Sequence, residues 1–265
     1  MAYDFLKGHG TENDFVLLPD LDGELTAERA RALCDRHAGI GADGVLRVAR
    51  ASPPEAEWFM DYRNADGSPS EMCGNGIRVF VRYLVDAGLA DATAPIAVDT
   101  RDGVKVLTVD GDLITADMGT PKVLGETTVA VGGVTHAARH VETGNPHAVA
   151  FVSSLDEAGA LLEAPTHDPA VYPDGVNVEF VVRRGERHIA MRVHERGSGE
   201  TRSCGTGACA AMVATAVAAG DRPDDADVAY RVDVPGGTLT VTWTTDDRVL
   251  LTGPAVLVAW GQTDL

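Results

Sequence analysis

The stretch Glu71-Met72-Cys73-Gly74-Asn75-Gly76 places a cysteine directly before a glycine-rich turn. A helical run, Ile77–Ala87, follows it and ends before Gly88. Because Asn75 is a favourable helix N-cap and Gly88 a favourable stop, the sequence predicts that Cys73 lies just ahead of a helix N-terminus. Unpaired N–H groups and the helix dipole stabilise negative charge there, which favours a thiolate. A buried structural cysteine beside a turn explains this motif alone equally well.

A second cysteine has the same surroundings 131 residues later. The stretch Ser203-Cys204-Gly205-Thr206-Gly207 precedes a helical run of small apolar residues, Ala208–Ala219, that ends at Gly220. Other landmarks recur at offsets of 131 or 132 residues: Asp43-Gly44-Val45 with Asp174-Gly175-Val176, Asn64 with Glu195, the predicted helix N-caps Asn75 and Thr206, and Asn13 with Asn145. Recurrence of five landmarks at nearly the same spacing indicates an internal duplication.

The rest of the chain predicts many short strands and few helices. One further helix is expected over Thr26–His37, with Thr26 as its N-cap, and another over Asp156–Glu163. The expected class is α/β (α+β), with two similar domains that each enclose one helix beginning at a cysteine. We assign residues 1–117 and 252–265 to the N-terminal half and residues 118–251 to the C-terminal half, with the last strand returning to the first domain.

Composition narrows the class of protein further. The 265 residues are 45% hydrophobic and 23% charged, as in an ordinary globular protein. The formal net charge of −18 argues against nucleic-acid binding, which needs a basic surface. No apolar run approaches the roughly 18 residues of a membrane span, and no basic-plus-apolar leader is evident. Four cysteines without framework spacing favour a reducing compartment, so we expect a cytoplasmic location and no membrane partner.

Two matched cysteines suit the inversion of a stereocentre. If the halves are related by an approximate two-fold axis, equivalent loops face each other across one cleft. One thiolate could then remove a proton from a substrate carbon while the opposing thiol delivers one to the other face. The two helix N-termini could bind a substrate carboxylate through backbone N–H groups.

The usual cofactors for such chemistry have little support in the sequence. Lysine occurs only at positions 7, 105 and 122, outside the duplicated loops, which disfavours pyridoxal phosphate. No CxxC or HExxH spacing is present, and His136 and His140 fall in a predicted strand, so we expect no metal. Cys34 and Cys209 are expected to be buried small hydrophobes. The reaction is therefore expected to need no cofactor.

The combined motifs resemble the diaminopimelate epimerase family. The resemblance rests on the segments around the two cysteines and on a segment between them, and it covers nearly the whole chain: Asn64-Ala65-Asp66-Gly67-Ser68 to Cys73-Gly74-Asn75-Gly76, Gly144-Asn145-Pro146-His147, and Glu195-Arg196-Gly197 to Cys204-Gly205-Thr206-Gly207-Ala208-Cys209.

This resemblance implies interconversion of LL- and meso-diaminopimelate in bacterial lysine and peptidoglycan-precursor synthesis. It implies a mixed barrel-like sheet around each central helix, an active site in the cleft, and a homodimer as the candidate assembly. It makes Cys73 and Cys204 the acid–base pair, with His147 and Glu195 in support. The substrate contacts that it implies are Asn13, Asn64, Gly74, Asn75, Asn145, Asn177, Glu195, Arg196, Gly205 and Thr206. Some members carry a polar residue where Gly44 stands, so Gly44 receives no role.

Other interpretations of the same residues stay open. A proline or hydroxyproline racemase would also use two cysteines, but Arg196 with Asn64 and Asn177 presupposes a distal carboxylate that proline lacks. The cysteines could instead form a redox switch, or the cleft could belong to a binding module. Taken alone, the asparagines could be turn residues, Arg196 a solvated charge and His147 a core imidazole.

Overall fold

The computed structural model describes residues 2–19, 23 and 25–265, which divide into two units. Unit 1 comprises Met1–Ala116 and Gly253–Leu265, and unit 2 comprises Asp117–Thr252. The elements up to the end of unit 1's first segment are β1 (Tyr3–Gly10), β2 (Asn13–Leu18), α1 (Ala27–Cys34), β3 (Gly44–Arg50), β4 (Trp58–Asn64), α2 (Gly74–Asp86), β5 (Ile96–Asp99), β6 (Lys105–Asp110) and β7 (Leu113–Asp117).

The later elements are β8 (Lys122–Val131), β9 (Val134–Glu142), β10 (Pro146–Phe151), a 3-10 turn (Leu155–Ala158), β11 (Thr166–His167), β12 (Asn177–Gly185), β13 (His188–Glu195), β14 (Gly199–Thr201), α3 (Gly205–Ala219), β15 (Val228–Val234), β16 (Gly237–Trp243), β17 (Val249–Pro254) and β18 (Val256–Thr263).

The two units order their strands identically. In unit 1 the paired strands run β18-β1-β2-β3-β4-β5-β6-β7, with parallel pairing only at β2–β3 and β4–β5 among the described residues. In unit 2 they run β8-β9-β10-β12-β13-β15-β16-β17, and the described residues pair in parallel at the equivalent steps, β10–β12 and β13–β15. The predicted α+β class and internal duplication are confirmed.

Each unit wraps its sheet around one helix. Helix α2 packs against β1, β2, β3, β4 and β18, with Ile77, Phe80 and Leu84 fully buried. Helix α3 packs against strands of unit 2 on several sides, and all of Gly205–Ala216 is buried. Small side chains allow the strands to approach α3 closely on every side, which explains why an alanine-rich helix has no polar face.

Both central helices begin earlier than the sequence indicated. They start at Gly74 and Gly205, and the residues that cap them are Cys73 and Cys204 themselves. Asn75 and Thr206 are therefore first-turn residues, and their prediction as N-caps was wrong. The thiol takes the place of a capping hydroxyl because the cysteine backbone is extended and its sulfur accepts an N–H from the first turn.

Two other predicted helices are shorter than expected. Thr26 caps α1 as predicted, but the helix ends at Cys34 and not at His37. The Asp35 carboxylate ends it by accepting the backbone N–H groups of His37 and Ala38. The helix expected over Asp156–Glu163 is only a 3-10 turn, which Gly159 ends in the left-handed φ region.

The strand ladders also correct one pair of landmarks. Gly44 pairs with Asn64 across β3 and β4. Glu195, the counterpart of Asn64, continues the register of β13 opposite Asn177 in β12. The counterpart of Gly44 is therefore Asn177, and the match to Asp174-Gly175-Val176 was displaced by two residues. The hairpin linking β12 and β13 is shorter than the hairpin linking β3 and β4. A single sequence offset therefore cannot relate both Gly44 and Asn64 to their counterparts.

Candidate active site

Cys73 lies at the N-terminus of α2 in unit 1. Its Sγ accepts a hydrogen bond from Gly76 N at 3.4 Å and lies 3.7 Å from Asn13 Oδ1. Asn13 begins β2, and Asn75 Nδ2 donates to the same Asn13 oxygen at 3.1 Å. The structure thus brings together three residues predicted for the site, Cys73, Asn13 and Asn75. Gly74, also predicted, lies between Cys73 and Asn75 in the chain.

A buried arginine that the sequence did not single out supports this loop. Arg78 is fully buried in α2 and donates from Nη2 to Asn75 Oδ1 at 2.9 Å and from Nη1 to Gly74 O at 2.9 Å. Its guanidinium therefore fixes the orientation of the Asn75 amide, whose Nδ2 then points at Asn13. A charged residue inside the apolar run Ile77–Val81 was the available signal.

Asn13 is held from its other side by acidic residues. Its Nδ2 donates to Asp43 Oδ2 at 2.8 Å, and Arg36 bridges Asp43 and Asp14 at 2.7 and 2.8 Å. Burial raises the pKa of Asp43, as does the Asp14 charge. The network explains why Asn13 Oδ1, and not its Nδ2, faces the Cys73 thiol.

Asn64 occupies a turn at the end of β4. Its Nδ2 donates to Ser68 Oγ at 3.1 Å, and its backbone N–H donates to Ser68 O at 3.0 Å. These bonds fix Asn64 in a turn of unit 1 that precedes the Cys73 loop in the chain.

Cys204 has a more acidic setting in unit 2. Its Sγ accepts from Gly207 N at 3.3 Å and lies 3.4 Å from Thr206 Oγ1. Burial raises the pKa of the Cys204 thiol well above its usual value, and the charges of Glu195 and Glu179 raise it further. The electrostatics of this site therefore favour the protonated form of Cys204.

Glu195 ends β13 beside the Cys204 loop. The Thr201 hydroxyl donates to Glu195 Oε1. Burial raises the pKa of Glu195, while hydrogen bonds from Thr201 and Cys204 oppose that rise. A carboxylate so placed can accept from an ammonium group as well as from the thiol.

His147 and Asn145 lie together at the start of β10. His147 is fully buried, with Nε2 2.7 Å from Asn145 Oδ1 and Nδ1 2.6 Å from Glu179 Oε1. Glu179, also fully buried, was not predicted. A single carboxylate in the apolar run Val176–Val182 was the signal that could have found it.

Asn177 and Arg196 are joined by a backbone contact. Arg196 N donates to Asn177 Oδ1 at 2.9 Å, and Asn177 Nδ2 donates to Pro146 O at 3.4 Å. The exposed Arg196 guanidinium donates to Asp174 O at 3.2 Å. On the other side, Thr143 Oγ1 donates to Thr206 O at 2.9 Å and ties the α3 N-terminus to the end of β9.

Comparison with known proteins defines the family. The model of the family described as diaminopimelate epimerase matches this chain twice, over residues 5–124 and 139–258. The chain belongs to the diaminopimelate epimerase family. The diaminopimelate epimerase of Streptomyces coelicolor is 56% identical over 276 residues, which cover 98% of this chain and 95% of that protein. That of Mycolicibacterium smegmatis is 45% identical over 98% of this chain and 96% of its own.

Solved structures share the fold at much lower identity. A PhzF-family phenazine biosynthesis protein of Bacillus anthracis has a TM-score of 0.77 at 18% identity, with 100% of both chains covered. A hydroxyproline epimerase of Agrobacterium vitis has a TM-score of 0.72 at 15% identity, covering 99% of this chain and 92% of that one. As a member of the diaminopimelate epimerase family, this chain is an isomerase.

The described residues offer few other candidate sites. No group of three or more His, Cys, Asp or Glu side chains among the described residues could hold a metal ion. His136 and His140 lie in β9, where their rings contact Phe180 and Tyr172. Burial raises the pKa of Cys34 to about 12. None of the helices in residues 2–19, 23 and 25–265 has the length and apolar character to cross a membrane.

Proposed function

We propose that this chain interconverts LL- and meso-diaminopimelate by proton transfer at the α-carbon, with Cys73 and Cys204 as the two bases. The observation that carries the proposal is the identical placement of the two thiols. Each caps the central helix of a unit, in units whose strands follow one order, and each sulfur accepts the N–H of the third residue onward. The substrate is inferred from the two bacterial relatives named above, which are both diaminopimelate epimerases.

The proposed reaction needs one thiolate and one thiol. The thiolate takes the α-proton, the C–H electron pair passes into the adjacent carboxylate system, and the opposing thiol returns a proton to the other face. The raised pKa of Cys204 suits it to be the donor at the start of a turnover. After each turnover the two protonation states are exchanged, so the reverse reaction begins with the roles reversed.

The helix N-termini would stabilise the charge that develops on the substrate. First-turn N–H groups of Gly74, Asn75, Gly205 and Thr206 are candidates to bind the carboxylate at the reacting centre. Their hydrogen bonds become stronger as the α-carbon becomes carbanion-like and charge moves to the carboxylate oxygens. The glycines in both loops allow a close approach of the backbone.

The remaining predicted residues fit the two amino-acid ends of the substrate. Glu195 would hold the reacting ammonium group, with the Arg196 carbonyl beside it. Asn64, Asn177 and the Arg196 guanidinium would bind the distal carboxylate, and Asn13 and Asn145 would complete the site. His147 would support the cysteines. A substrate with two carboxylates and two ammonium groups requires this mixture of cation, anion and amides.

Deuterium exchange provides the first test. Reduced protein is incubated with LL-diaminopimelate in deuterated water, with L-proline and trans-4-hydroxy-L-proline as competing candidate substrates. We expect deuterium at the diaminopimelate α-carbon and meso product, and none on the two imino acids. No deuterium in diaminopimelate, or faster exchange on proline, would refute the assignment.

Single cysteine replacements test the two-base scheme. Cys73→Ala and Cys204→Ala should each lower kcat by at least about 10³-fold, because one face of the carbon then lacks its proton donor or acceptor. Circular dichroism and thermal unfolding check that the fold survives, and Cys34→Ala is the matched control. A single variant with near-normal turnover would contradict the scheme.

We also infer a cytoplasmic location and a homodimeric assembly. Free thiols at all four cysteines, together with a biosynthetic reaction, support a cytoplasmic location. A homodimer is the assembly to test, by light scattering of the purified chain.

A further inference from the structure

Glu179 and His147 form a fully buried ionisable pair in unit 2. Glu179 Oε1 lies 2.6 Å from His147 Nδ1, and neither side chain is exposed to solvent. The other His147 nitrogen, Nε2, lies 2.7 Å from the Asn145 amide. Nδ1 carries a proton whichever way that amide is turned, because its partner is a carboxylate oxygen. The carboxylate therefore fixes the orientation of the His147 ring, with Nδ1–H directed at Glu179.

The same carboxylate lies against the helix that carries Cys204. A methyl group added to Gly207 would lie 2.7 Å from Glu179 Oε1 and 3.2 Å from Cys204 Sγ. The backbone of the first helical turn thus separates the two groups by little more than one glycine. Glu179 Oε2 has no hydrogen-bond partner among the described residues, so part of its charge stays uncompensated.

Several groups on different elements determine the charge at Cys204. Glu195 on β13 and Glu179 on β12 both disfavour the thiolate, whereas Thr206 and the Gly207 N–H favour it. His147 on β10 compensates Glu179 through Nδ1. Glu195 is already assigned to the substrate, so Glu179 is the acidic residue of this set without a role.

Unit 1 shows that the fold does not require a polar pair at this place. Phe15 faces Gly44 across β2 and β3, just as His147 faces Asn177 across β10 and β12. Phe15 is therefore the counterpart of His147.

The second member of the pair follows from the same ladders. Leu46 lies two residues after Gly44, as Glu179 lies two after Asn177. A methyl group on Gly76 would meet Leu46 and Phe15 at 3.3 and 3.4 Å, as one on Gly207 would meet Glu179. One unit fills the position under its cysteine helix with two apolar side chains and the other with an ionisable pair, so the pair serves a purpose other than packing.

We propose that Glu179 is a positioning residue of the epimerase site, which fixes His147 through Nδ1 and supplies negative charge behind the Cys204 loop. This inference rests on the proposed function. In it, Glu179 never touches the substrate. It holds the histidine ring in one orientation, and its negative charge keeps the proton on Cys204 until the carbanion forms.

Glu179→Gln removes the charge at nearly constant volume. We expect kcat to fall by about 10- to 100-fold with little change in KM, because the residue acts through His147 and Cys204 and not on substrate binding. The pH at which iodoacetamide alkylates the Cys204 peptide should move down, and the imidazole ¹⁵N signals of His147, assigned with His147→Phe, should change. Glu163→Gln, which removes an exposed carboxylate of the same unit, should alter none of these quantities.

Two further variants keep the test decisive if Glu179→Gln folds poorly. Glu179→Asp keeps the charge but shortens the reach, so the Cys204 alkylation profile should stay near wild type while the His147 signals change. The double variant His147→Phe/Glu179→Leu copies the pair of unit 1 and should unfold at a higher temperature than either single variant, yet stay slow.

Unchanged alkylation and unchanged His147 signals in Glu179→Gln would overturn the proposal, whatever the activity. If wild-type protein does not exchange the diaminopimelate α-proton, the proposed function fails, but the alkylation and NMR measurements still decide the role of Glu179.

Discussion

Asp43 accepts a hydrogen bond from Asn13, whose Oδ1 faces Cys73, and Asp43 and Asp14 share the Arg36 guanidinium. Burial acts to raise the pKa of Asp14, but hydrogen bonds from Arg36 and Lys7 outweigh it and lower that pKa to about 2. A carboxyl whose folded pKa is depressed stabilises the fold above its unfolded pKa, and this contribution disappears as the pH falls toward the folded value. The charge pattern behind Asn13 is therefore sensitive to acid below about pH 4.

Asp14→Asn tests this contribution at a single residue. We expect the variant to be less stable by about 1 kcal/mol at pH 6, after allowance for solvent screening, and to approach wild type near pH 2. Part of the loss is offset because Asp43 no longer faces the Asp14 charge. Urea unfolding between pH 2 and pH 6 measures the difference, with exposed Asp110→Asn as control. A stability gap that widens toward pH 2 would show that the sign is wrong.

At the scale of elements, the duplicated helices allow a matched comparison of two glycines. Gly76 and Gly207 occupy the same position in α2 and α3, where each donates its N–H to the cysteine. Alanine favours a helix by about 1 kcal/mol over glycine, so helix propensity alone would stabilise both variants. The neighbours differ, since Gly76 faces the ends of apolar side chains and Gly207 faces a buried carboxylate oxygen.

Gly76→Ala and Gly207→Ala should therefore behave differently. We expect Gly76→Ala to stay within about 1 kcal/mol of wild type, because its nearest contacts are 3.3 Å or longer. Gly207→Ala should lose about 1–3 kcal/mol, because the methyl group overlaps Glu179 Oε1 and forces it from His147. Thermal unfolding and kcat of both variants provide the comparison, and equal losses would contradict it.

Much of the architecture of the whole molecule was accessible to sequence reasoning because the duplication repeats distinctive residues. Two cysteines before glycine-rich turns predicted two enclosed helices, and both are present. The side-chain pairs that differ between the units were not predictable in this way. Phe15 with Leu46 and His147 with Glu179 occupy equivalent places, and only the strand ladders show which residues correspond. Arg78 was missed because a charge in an apolar helix has no partner that spacing alone can identify.

The chain closes unit 1 with its last strand, which makes that unit discontinuous in sequence. β18 pairs with β1 from Tyr3 opposite Thr263 to His9 opposite Val256, and α2 packs against it. In unit 2 the equivalent pair, β8 and β9, is joined by a short turn. Non-local pairing costs more chain entropy than a hairpin, so unit 1 depends on the C-terminal residues in a way that unit 2 does not.

Deletion of residues 256–265 should consequently affect the two units unequally. We expect β1 and α2 amides to lose protection from hydrogen exchange, because β1 becomes an unpaired edge and α2 loses one wall. Amides of β12 and α3 should keep theirs, and turnover should be lost because Cys73 caps α2. Peptide-resolved exchange measures both units in one sample, and deletion of residues 264 and 265 alone is the control. Protection of β1 that survives the long deletion, or its equal loss in α3, would show that β18 does not specifically stabilise unit 1.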